Sequence, residues 1–333
     1  MSPDSFEALL EKWWLWLAVQ HYSNETVTSR KASIKGFIEW CHERGLTRPC
    51  DISKPVLERY QRHLYTYRKQ DGQPLSHGTQ TGRLSVLRSF FAWLAKQNHI
   101  PADPASGLEK PRGEYRLPVQ ALNIDEVETV LDQPDTSTLG GFRDRVIMEV
   151  LYATAIRRTE ACSLHLHDID WGRNLLVVRQ GKGRKDRVVP IGDRARAWLE
   201  VYRDHVRPQF VAGKEPAWLF LNRDGGQIAP KKLTGRVGAY IAAAEALNPT
   251  GKTGSCHLLR HTAATLMLEG GADIRYIQAM LGHENLDTTQ IYTQVSVGRL
   301  QQVHADTHPG ARSRRNAQEL AALLTADAMD ADD

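Results

Sequence analysis

Four side chains with complementary chemistry lie close together near the C-terminal end of the chain: His257, Arg260, His283 and Tyr292. An arginine presents a planar fork of donors that matches phosphate oxygens, and histidines add donors or a base near neutral pH. A phenol becomes an effective nucleophile when cations stabilise the charge that builds on the phosphorus it attacks. The set itself contains no carboxylate to hold a metal, so it indicates metal-free phosphoryl transfer onto a tyrosine, without a cofactor.

Three short helices must bring these side chains together. The first histidine and the arginine are three residues apart, so they share one face of a helix that is predicted to stop at Gly270. A second helix is predicted over residues 274–281, with Gly282 as the first residue after its end. The second histidine follows in the turn. The tyrosine then falls about one turn into a third helix that Asp287 or Thr288 can cap.

Two simpler interpretations of this stretch stay open at this point. A single histidine or tyrosine on a helix is usually structural. Residues 272–295 also have the pattern of a helix-turn-helix, which would bind DNA without doing chemistry. Together, however, the four residues resemble in type and spacing the His-x-x-Arg, His/Trp and Tyr signature of the tyrosine recombinase (phage integrase) family. This resemblance favours the catalytic interpretation.

A segment in the middle of the chain supplies a second arginine through the same resemblance. Residues 154–160 read TAIRRTE and are similar to the family motif TGLRxSE, with Ala155 in place of the glycine and Thr159 in place of the serine. The resemblance makes Arg157 the first catalytic arginine. Glu160 lies three residues further on and can orient a neighbouring cation by hydrogen bonding. Taken alone, an arginine–glutamate pair at this spacing is usually a surface salt bridge.

A β-hairpin is predicted just after this motif. The apolar runs NLLVVR and DRVVPI are separated by the glycine-bearing loop QGKGRK, residues 180–185. Its lysine, Lys182, would ordinarily be a solvated turn residue. The resembling family carries its general acid on a lysine of this hairpin. The resemblance therefore implies that Lys182 protonates the 5′ oxygen that leaves the phosphorus when a DNA strand is cut. We expect the neighbouring Arg184 and Lys185 to contact DNA.

The N-terminal part of the chain is predicted to be a bundle of helices. Apolar residues recur at helical spacing over residues 5–19, 24–44, 54–69 and 76–96. The last segment carries cations opposite its apolar face, which is as typical of a solvated surface as of a DNA-binding one. The run SVLRSFFAWL followed by IPADPASGLEKPR resembles the core-binding domain of Xer-type recombinases. That resemblance assigns three cations of the fourth helix to DNA: Arg83, Arg88 and Lys96.

In the second half of the chain, helices are predicted over residues 194–206 and 231–246 around a short strand at 218–222. The second of these helices begins with a cluster of basic residues. We expect this cluster to approach the DNA backbone through Lys231, Lys232 and Arg236.

The predicted fold is mainly α with a small antiparallel β-sheet, arranged as the two-domain fold of tyrosine recombinases. Prolines, glycines and charged residues after position 100 indicate an extended linker between the domains. The predicted segments are a helical core-binding domain (1–107), a linker (108–118), an α+β catalytic domain (119–310) and a C-terminal extension, partly disordered or docked on a neighbouring protomer (311–333).

Composition agrees with a globular protein that binds phosphates. The net charge is +4 and 41% of the residues are hydrophobic. Residues 316–333 carry five acidic and no basic side chains, so the rest of the chain carries about +9. The apolar run at 9–19 is short and interrupted by charges, so neither a signal peptide nor a membrane span is predicted. Four cysteines without metal-site spacing indicate reduced thiols in a cytoplasmic protein: Cys41, Cys50, Cys162 and Cys256.

The resemblance implies a site-specific recombinase that cuts and rejoins DNA through a 3′-phosphotyrosyl intermediate and a Holliday junction. The implied partners are double-stranded DNA with an inverted-repeat core site and a homo-tetramer, or a paired hetero-tetramer, on two duplexes. No membrane partner is expected, and the implied location is the cytoplasm, associated with the nucleoid. Two alternatives are a type IB topoisomerase, which shares the chemistry, and a catalytically silent DNA-binding regulator on the same fold.

Overall fold

The computed structural model describes residues 2–109, 111, 121–179, 186–211, 213–282 and 297–310, the side chains of 297–299 excepted. These residues form two compact units, one within positions 1–117 and one within 118–333. Among them, no helix has both the length and the apolar character that crossing a bilayer requires. Several predicted features lie outside the described residues: most of the linker, Lys182, Arg184, Lys185, His283, Tyr292 and the extension at 311–333.

Serine caps and apolar spacing together define the helices of the N-terminal unit. Three of them begin after a serine whose hydroxyl accepts the backbone N–H three residues further on. Each of the four predicted helices forms and ends within three residues of its predicted end. The helices are α1 (Phe6–Val19), α2 (Asn24–His42), α3 (Lys54–Thr66) and α4 (His77–Lys96).

Aromatic side chains fill the core of this unit. Phe37 of α2 makes edge-to-face contacts with Phe6, Tyr60 and Phe91, at centroid distances of 6.1, 4.9 and 6.0 Å. Such pairs each contribute about 0.5–1.5 kcal/mol beyond the burial of their area. Because these rings come from all four helices, the packing fixes α4 and the cations along it.

The second unit confirms the predicted combination of helices with a small antiparallel sheet. Its described residues form eight α-helices and three short strands. They are α5 (Ile124–Leu131), α6 (Leu139–Thr154), α7 (Arg158–Cys162), β1 (Ile169–Asp170), β2 (Leu175–Val178), β3 (Arg187–Pro190), α8 (Asp193–Val201), α9 (Pro230–Leu247), α10 (Cys256–Glu269), α11 (Ile274–Leu281) and α12 (Val297–Thr307).

The sheet pairs the strands antiparallel in the order β1-β2-β3. The two predicted strands are β2 and β3, with Leu176 opposite Val189 and Val178 opposite Arg187. Strand β1 was not predicted from the sequence, because two residues are too few to show an alternating pattern. The strand predicted at 218–222 was wrong, since this segment forms only isolated bridges, at Trp218 and Leu221.

Helix α6 forms the centre of the second unit, and every side chain from Phe142 to Thr154 is buried. Its buried charges are paired, because a buried charge without a partner costs several kcal/mol. Arg145 and Arg194 both donate to Glu149 at 2.6–3.0 Å. The helix ends at Ala155, whose φ of 51° lies in the left-handed region. The glycine of the resembled motif would adopt this backbone conformation without strain.

Helices α10 and α11 end where the sequence predicts. Helix α10 stops at Gly270, and Gly282 closes α11 with φ 61° in the left-handed conformation. At Gly282 an added Cβ would lie 3.1–3.3 Å from the side chain of Arg187, so both the backbone and the available space favour glycine.

Two buried histidines dock helix α12 onto the end of α6. His304 Nε2 lies 2.7 Å from the carbonyl oxygen of Ala153, and His308 Nε2 lies 2.9 Å from that of Tyr152. The Nδ1 atom of His308 accepts a hydrogen bond from the backbone N–H of Gly310 at 3.0 Å. His308 therefore donates through Nε2 and accepts through Nδ1, which only a neutral imidazole can do.

We expect the docking of α12 to weaken in mild acid. Burial, reinforced by the charge of His304, lowers the pKa of His308 from 6.5 to about 3. Below its ordinary pKa of 6.5 this imidazole binds a proton in the unfolded chain but stays neutral in the folded one. The folded state therefore loses stability as the pH falls below that value. The loss should reach about 2 kcal/mol near pH 5. Denaturant unfolding between pH 7 and 5 measures this slope.

Two substitutions test whether His308 causes this dependence of the unfolding free energy on pH. The variant His308→Asn should flatten the dependence of unfolding free energy on pH. The matched control His261→Asn removes an exposed imidazole from α10 and should leave the slope unchanged. Equal slopes for the wild type and His308→Asn would show that this histidine does not titrate on unfolding.

Candidate active site

Two of the predicted arginines lie near the N-terminal ends of helices, where the backbone fixes their positions. Arg157 is the N-cap of α7, directly after the turn at Ala155 that ends α6. Arg260 lies at the start of the second turn of α10 and is almost fully buried. One of its terminal nitrogens donates to the carbonyl of Ala155, so the turn that delivers the first arginine also holds the second.

Glu160 collects hydrogen bonds from two arginines. Its carboxylate accepts the backbone N–H of Arg157 at 2.7 Å and the Nη1 of the same residue at 2.9 Å. It also accepts both terminal nitrogens of Arg187, at 2.9 and 2.7 Å. Burial alone would raise the pKa of Glu160, but the hydrogen bonds and charges of Arg187 and Arg157 outweigh it and lower the pKa to about 2. The carboxylate is therefore ionised throughout the neutral range.

The C-terminal end of α11 brings three arginines to one place. Three consecutive carbonyl oxygens each accept a hydrogen bond from a different guanidinium. Met280 receives Arg187 Nε at 2.9 Å. Leu281 and Gly282 receive one terminal nitrogen each from Arg260 and Arg157, at 2.7 and 3.1 Å. The carbonyls at a helix end lack partners within the helix and carry partial negative charge, so they attract cations.

Positive charge is concentrated at this point. The guanidiniums of Arg157, Arg187 and Arg260 lie close enough to one another and to the carboxylate of Glu160 to interact electrostatically. Burial and the nearby charge of Arg157 lower the pKa of Arg260 to about 10, so it stays protonated at neutral pH under repulsion. A bound anion would relieve that repulsion, and a phosphate matches the forked geometry of the donors.

His257 adds a neutral imidazole beside this cluster. It is exposed in the first turn of α10. Partial desolvation and the charges of Arg158, Arg260 and Arg157 lower its pKa. A neutral imidazole can accept a proton, so the electrostatics suit the role that the sequence predicts for it.

The glycine at the end of α11 offers a prediction within the site. Gly282→Ala should destabilise the fold by about 1–2 kcal/mol, because an L-residue is strained in the left-handed conformation. It should also slow any reaction at the site, since the new Cβ would press on the side chain of Arg187. Urea denaturation and a single-turnover cleavage assay measure the two effects.

Gly271 provides the control for this substitution. Its φ is 90°, and an added Cβ there would meet nothing within 4 Å. Gly271→Ala should therefore show the backbone strain without the loss of activity. Equal activities of the two variants would show that pressure of the new Cβ on the side chain of Arg187 does not affect the reaction.

The predicted DNA contacts differ in their surroundings. Lys231 and Lys232 are exposed in the first turn of α9, where the helix dipole adds to their positive charge and favours an anion. Arg236 lies one turn further on and is partly buried, with Nε 3.1 Å from a carboxylate oxygen of Asp144. On α4, two of the predicted contacts are half-buried and the third is exposed: Arg83, Arg88 and Lys96. That these residues bind DNA stays a prediction.

Sequence reasoning missed Arg187. It was included in the predicted strand DRVVPI without a role. Residues two apart on a strand share a face, and Val189 on that face is fully buried. A cation on the core-facing side of a strand needs a buried partner. This requirement could have marked Arg187 as part of a charged site, although not which carboxylate it would meet.

Both units of the chain match known protein families. Residues 120–299 match the model of the phage integrase family, and residues 9–100 match that of the phage integrase N-terminal SAM-like domain. The chain is 46% identical to tyrosine recombinase XerC 2 of Ralstonia nicotianae, covering 98% of this chain and 92% of that protein. It is 36% identical to tyrosine recombinase XerD of Pseudomonas putida, covering 89% and 94%.

Solved structures share the fold. A lambda integrase dimer bound to a COC′ core site superposes with a TM-score of 0.62 at 18% identity, covering 84% of this chain and 96% of that one. The XerH recombinase in its post-cleavage complex with difH gives a TM-score of 0.61 at 22% identity, covering 84% and 79%. At these identities the likeness establishes the architecture.

Proposed function

The chain belongs to the phage integrase family of tyrosine recombinases, and from this premise we propose that it is a site-specific DNA recombinase with Tyr292 as its nucleophile. The observation that carries the proposal is the group of three arginines on the last carbonyls of α11. The carbonyls that bind these arginines belong to the three residues that precede His283 in the sequence, and the charges of two of the arginines act on His257. Such a group is suited to a phosphate that acquires additional charge during reaction.

The proposed reaction is a transesterification. The phenol oxygen of Tyr292 forms a bond to the phosphorus of a DNA phosphodiester, and the bond from that phosphorus to the 5′ oxygen breaks. The phenol proton leaves toward His257, and Lys182 gives a proton to the departing 5′ oxygen. A 3′-phosphotyrosyl link and a free 5′-hydroxyl result. Because the link conserves the phosphodiester bond energy, a 5′-hydroxyl from a partner duplex can reverse the step.

The remaining site residues stabilise charge in this proposal. Arg157 and Arg260 hold the nonbridging oxygens, and His283 adds a further donor. Glu160 orients the first arginine through the hydrogen bonds described above. The two arginines are held in place before reaction by their hydrogen bonds to Glu160 and to backbone carbonyls, so stabilising the transition state through them requires little rearrangement of the protein.

DNA binding divides between the proposed domains. The core-binding domain at 1–107 and the catalytic domain at 119–310 both contact the duplex, which increases the number of phosphate contacts without reading bases. The hairpin cations Arg184 and Lys185 belong to the second surface. Four protomers on two duplexes with inverted-repeat sites would exchange strands through a Holliday junction. This activity belongs in the cytoplasm, at the nucleoid, because its substrate is DNA.

A nicked suicide duplex tests the proposal. The inverted-repeat site in this duplex would first be identified by letting the protein select its binding sequence from a randomised DNA pool. Because of the nick, the short fragment that carries the new 5′-hydroxyl diffuses away after cleavage, so the strand cannot be rejoined. We expect a covalent protein–DNA adduct to accumulate in EDTA without ATP. A DNA-binding regulator would bind the duplex and form no adduct. A topoisomerase would relax supercoiled plasmids that lack the site and exchange no strands.

A further inference from the structure

Arg187, the first residue of β3, uses every nitrogen of its guanidinium. Nε donates to the carbonyl of Met280 at 2.9 Å. Nη1 and Nη2 donate to the two carboxylate oxygens of Glu160 at 2.9 and 2.7 Å. The side chain is 13% exposed and the carboxylate side chain 6%. A two-point pair of this kind fixes distance and orientation together.

The three hydrogen bonds of Arg187 join elements that are far apart in the sequence. Glu160 belongs to α7, 27 residues before Arg187, and Met280 belongs to α11, 93 residues after it. The strand that begins with Arg187 is paired with β2, so the sheet is tied to both helices. The side chain therefore connects the sheet, the helix that carries the first arginine and the helix end on which all three arginines meet.

We propose that Arg187 is a positioning residue of the cleavage reaction, which holds Glu160, and through it Arg157, in register with the end of α11. This inference rests on the proposed function. The role assigned to Arg187 is confined to its three protein acceptors, the two carboxylate oxygens of Glu160 and the carbonyl of Met280, and includes no contact with the phosphate. This residue acts through the oxygen Oε1 of Glu160, which accepts from Arg187 and from Arg157, both at 2.9 Å.

Removing Arg187 should disturb the site in a way that depends on pH. Arg187 provides the strongest of the effects that lower the pKa of Glu160, against the burial that raises it. Without that guanidinium, the buried carboxylate keeps the hydrogen bonds from Arg157 and the nearby charge of Arg260 but loses the strongest of its stabilising interactions, and its pKa rises. As the pH falls, a growing fraction of Glu160 becomes protonated and releases its hold on Arg157. A purely structural role for Arg187 would not give this pattern.

The experiment measures adduct formation on the suicide duplex in single turnover. Arg187→Gln should form the adduct about 10- to 100-fold more slowly at about pH 7.5, as displacement of a catalytic group by about 1 Å can do. Its Kd for DNA should stay within about twofold, since the phosphate contacts are made elsewhere. Arg187→Lys keeps the charge and should recover part of the rate. It also keeps the test available if the glutamine variant does not fold.

Two further readouts separate positioning from general damage. The ratio of variant to wild-type rate should fall further as the pH is lowered to about 5.5, and pH effects common to both chains cancel in this ratio. In a double-mutant cycle, Glu160→Gln combined with Arg187→Gln should be no slower than Glu160→Gln alone, within about twofold. Arg196→Gln is the control, since it removes an arginine that pairs with Glu200 at 2.8 Å. It should change neither the rate nor the ratio.

The outcomes are distinguishable. An adduct-forming wild type with an unaffected Arg187→Gln variant overturns this inference alone. So does a slowed variant whose rate ratio is independent of pH and whose loss adds to that of Glu160→Gln, because Arg187 would then act only on the fold. A wild-type chain that forms no adduct overturns the proposed function, and this inference with it.

Discussion

Replacing Tyr292 with phenylalanine will abolish the covalent protein–DNA adduct while leaving DNA binding within about twofold of the wild type. The substitution removes one oxygen, the atom proposed to bond to phosphorus, and a phenyl ring has no replacement for it. The ring itself remains, so packing around the position should change little. A denaturing gel of the suicide-substrate reaction and a binding titration measure the two effects.

Tyr276 of α11 provides a matched control. It is partly buried in the same region of the chain, and Tyr276→Phe removes the same hydroxyl from a residue with no proposed chemical role. That variant should form the adduct at the wild-type rate. An adduct that persists in Tyr292→Phe would place the nucleophile on another residue.

Replacing Arg260 with glutamine will slow adduct formation by about 10²–10³-fold, the usual cost of losing one donor that is preorganised for a transition state. Its guanidinium is buried and held by the carbonyls of Ala155 and Leu281, so its direction is set before DNA binds. With a pKa of about 10 it remains charged at neutral pH. Single-turnover rates measure the effect, which should lie in the chemical step more than in the Kd for DNA.

Stability must be separated from catalysis for this variant, because Arg260 also ties the ends of α6 and α11 together. Arg260→Lys keeps a positive charge without the planar fork, so it should remain slow even where it folds normally. Arg275→Gln removes an exposed cation from α11 that pairs with Asp273 at 2.5 Å, and it should be neutral. If Arg260→Lys forms the adduct at the wild-type rate, the planar fork of donors is not required for the reaction.

Local features of the fold could be predicted from the sequence because their causes are local. The helices that follow from apolar spacing and the stop at Gly282 are set by a few neighbouring residues, and the structure has them where they were predicted. The assignment of Arg157 came from the resemblance instead. The structure adds a local reason for its position, since the left-handed residue Ala155 ends α6 and redirects the chain just before it.

Features that depend on tertiary contacts could not be predicted in the same way. Arg187 meets Glu160 across 27 residues, and no periodicity encodes that pairing. The neutral state of His308 depends on burial and on the carbonyl of Tyr152, which lies 156 residues earlier in the chain. In both cases the sequence shows a titratable side chain, whereas its partner, and therefore its charge state, is decided by the packing of distant segments.

Mass-spectrometric mapping of the trapped adduct tests the central claim most directly. The protein would be digested after reaction with the suicide duplex, and the peptide that retains a nucleotide would be sequenced. We expect a single phosphotyrosyl linkage at Tyr292, joined to the 3′ side of the cleaved strand. A linkage to any other residue, or to the 5′ side, would contradict the proposed attack on a phosphate held by Arg157 and Arg260.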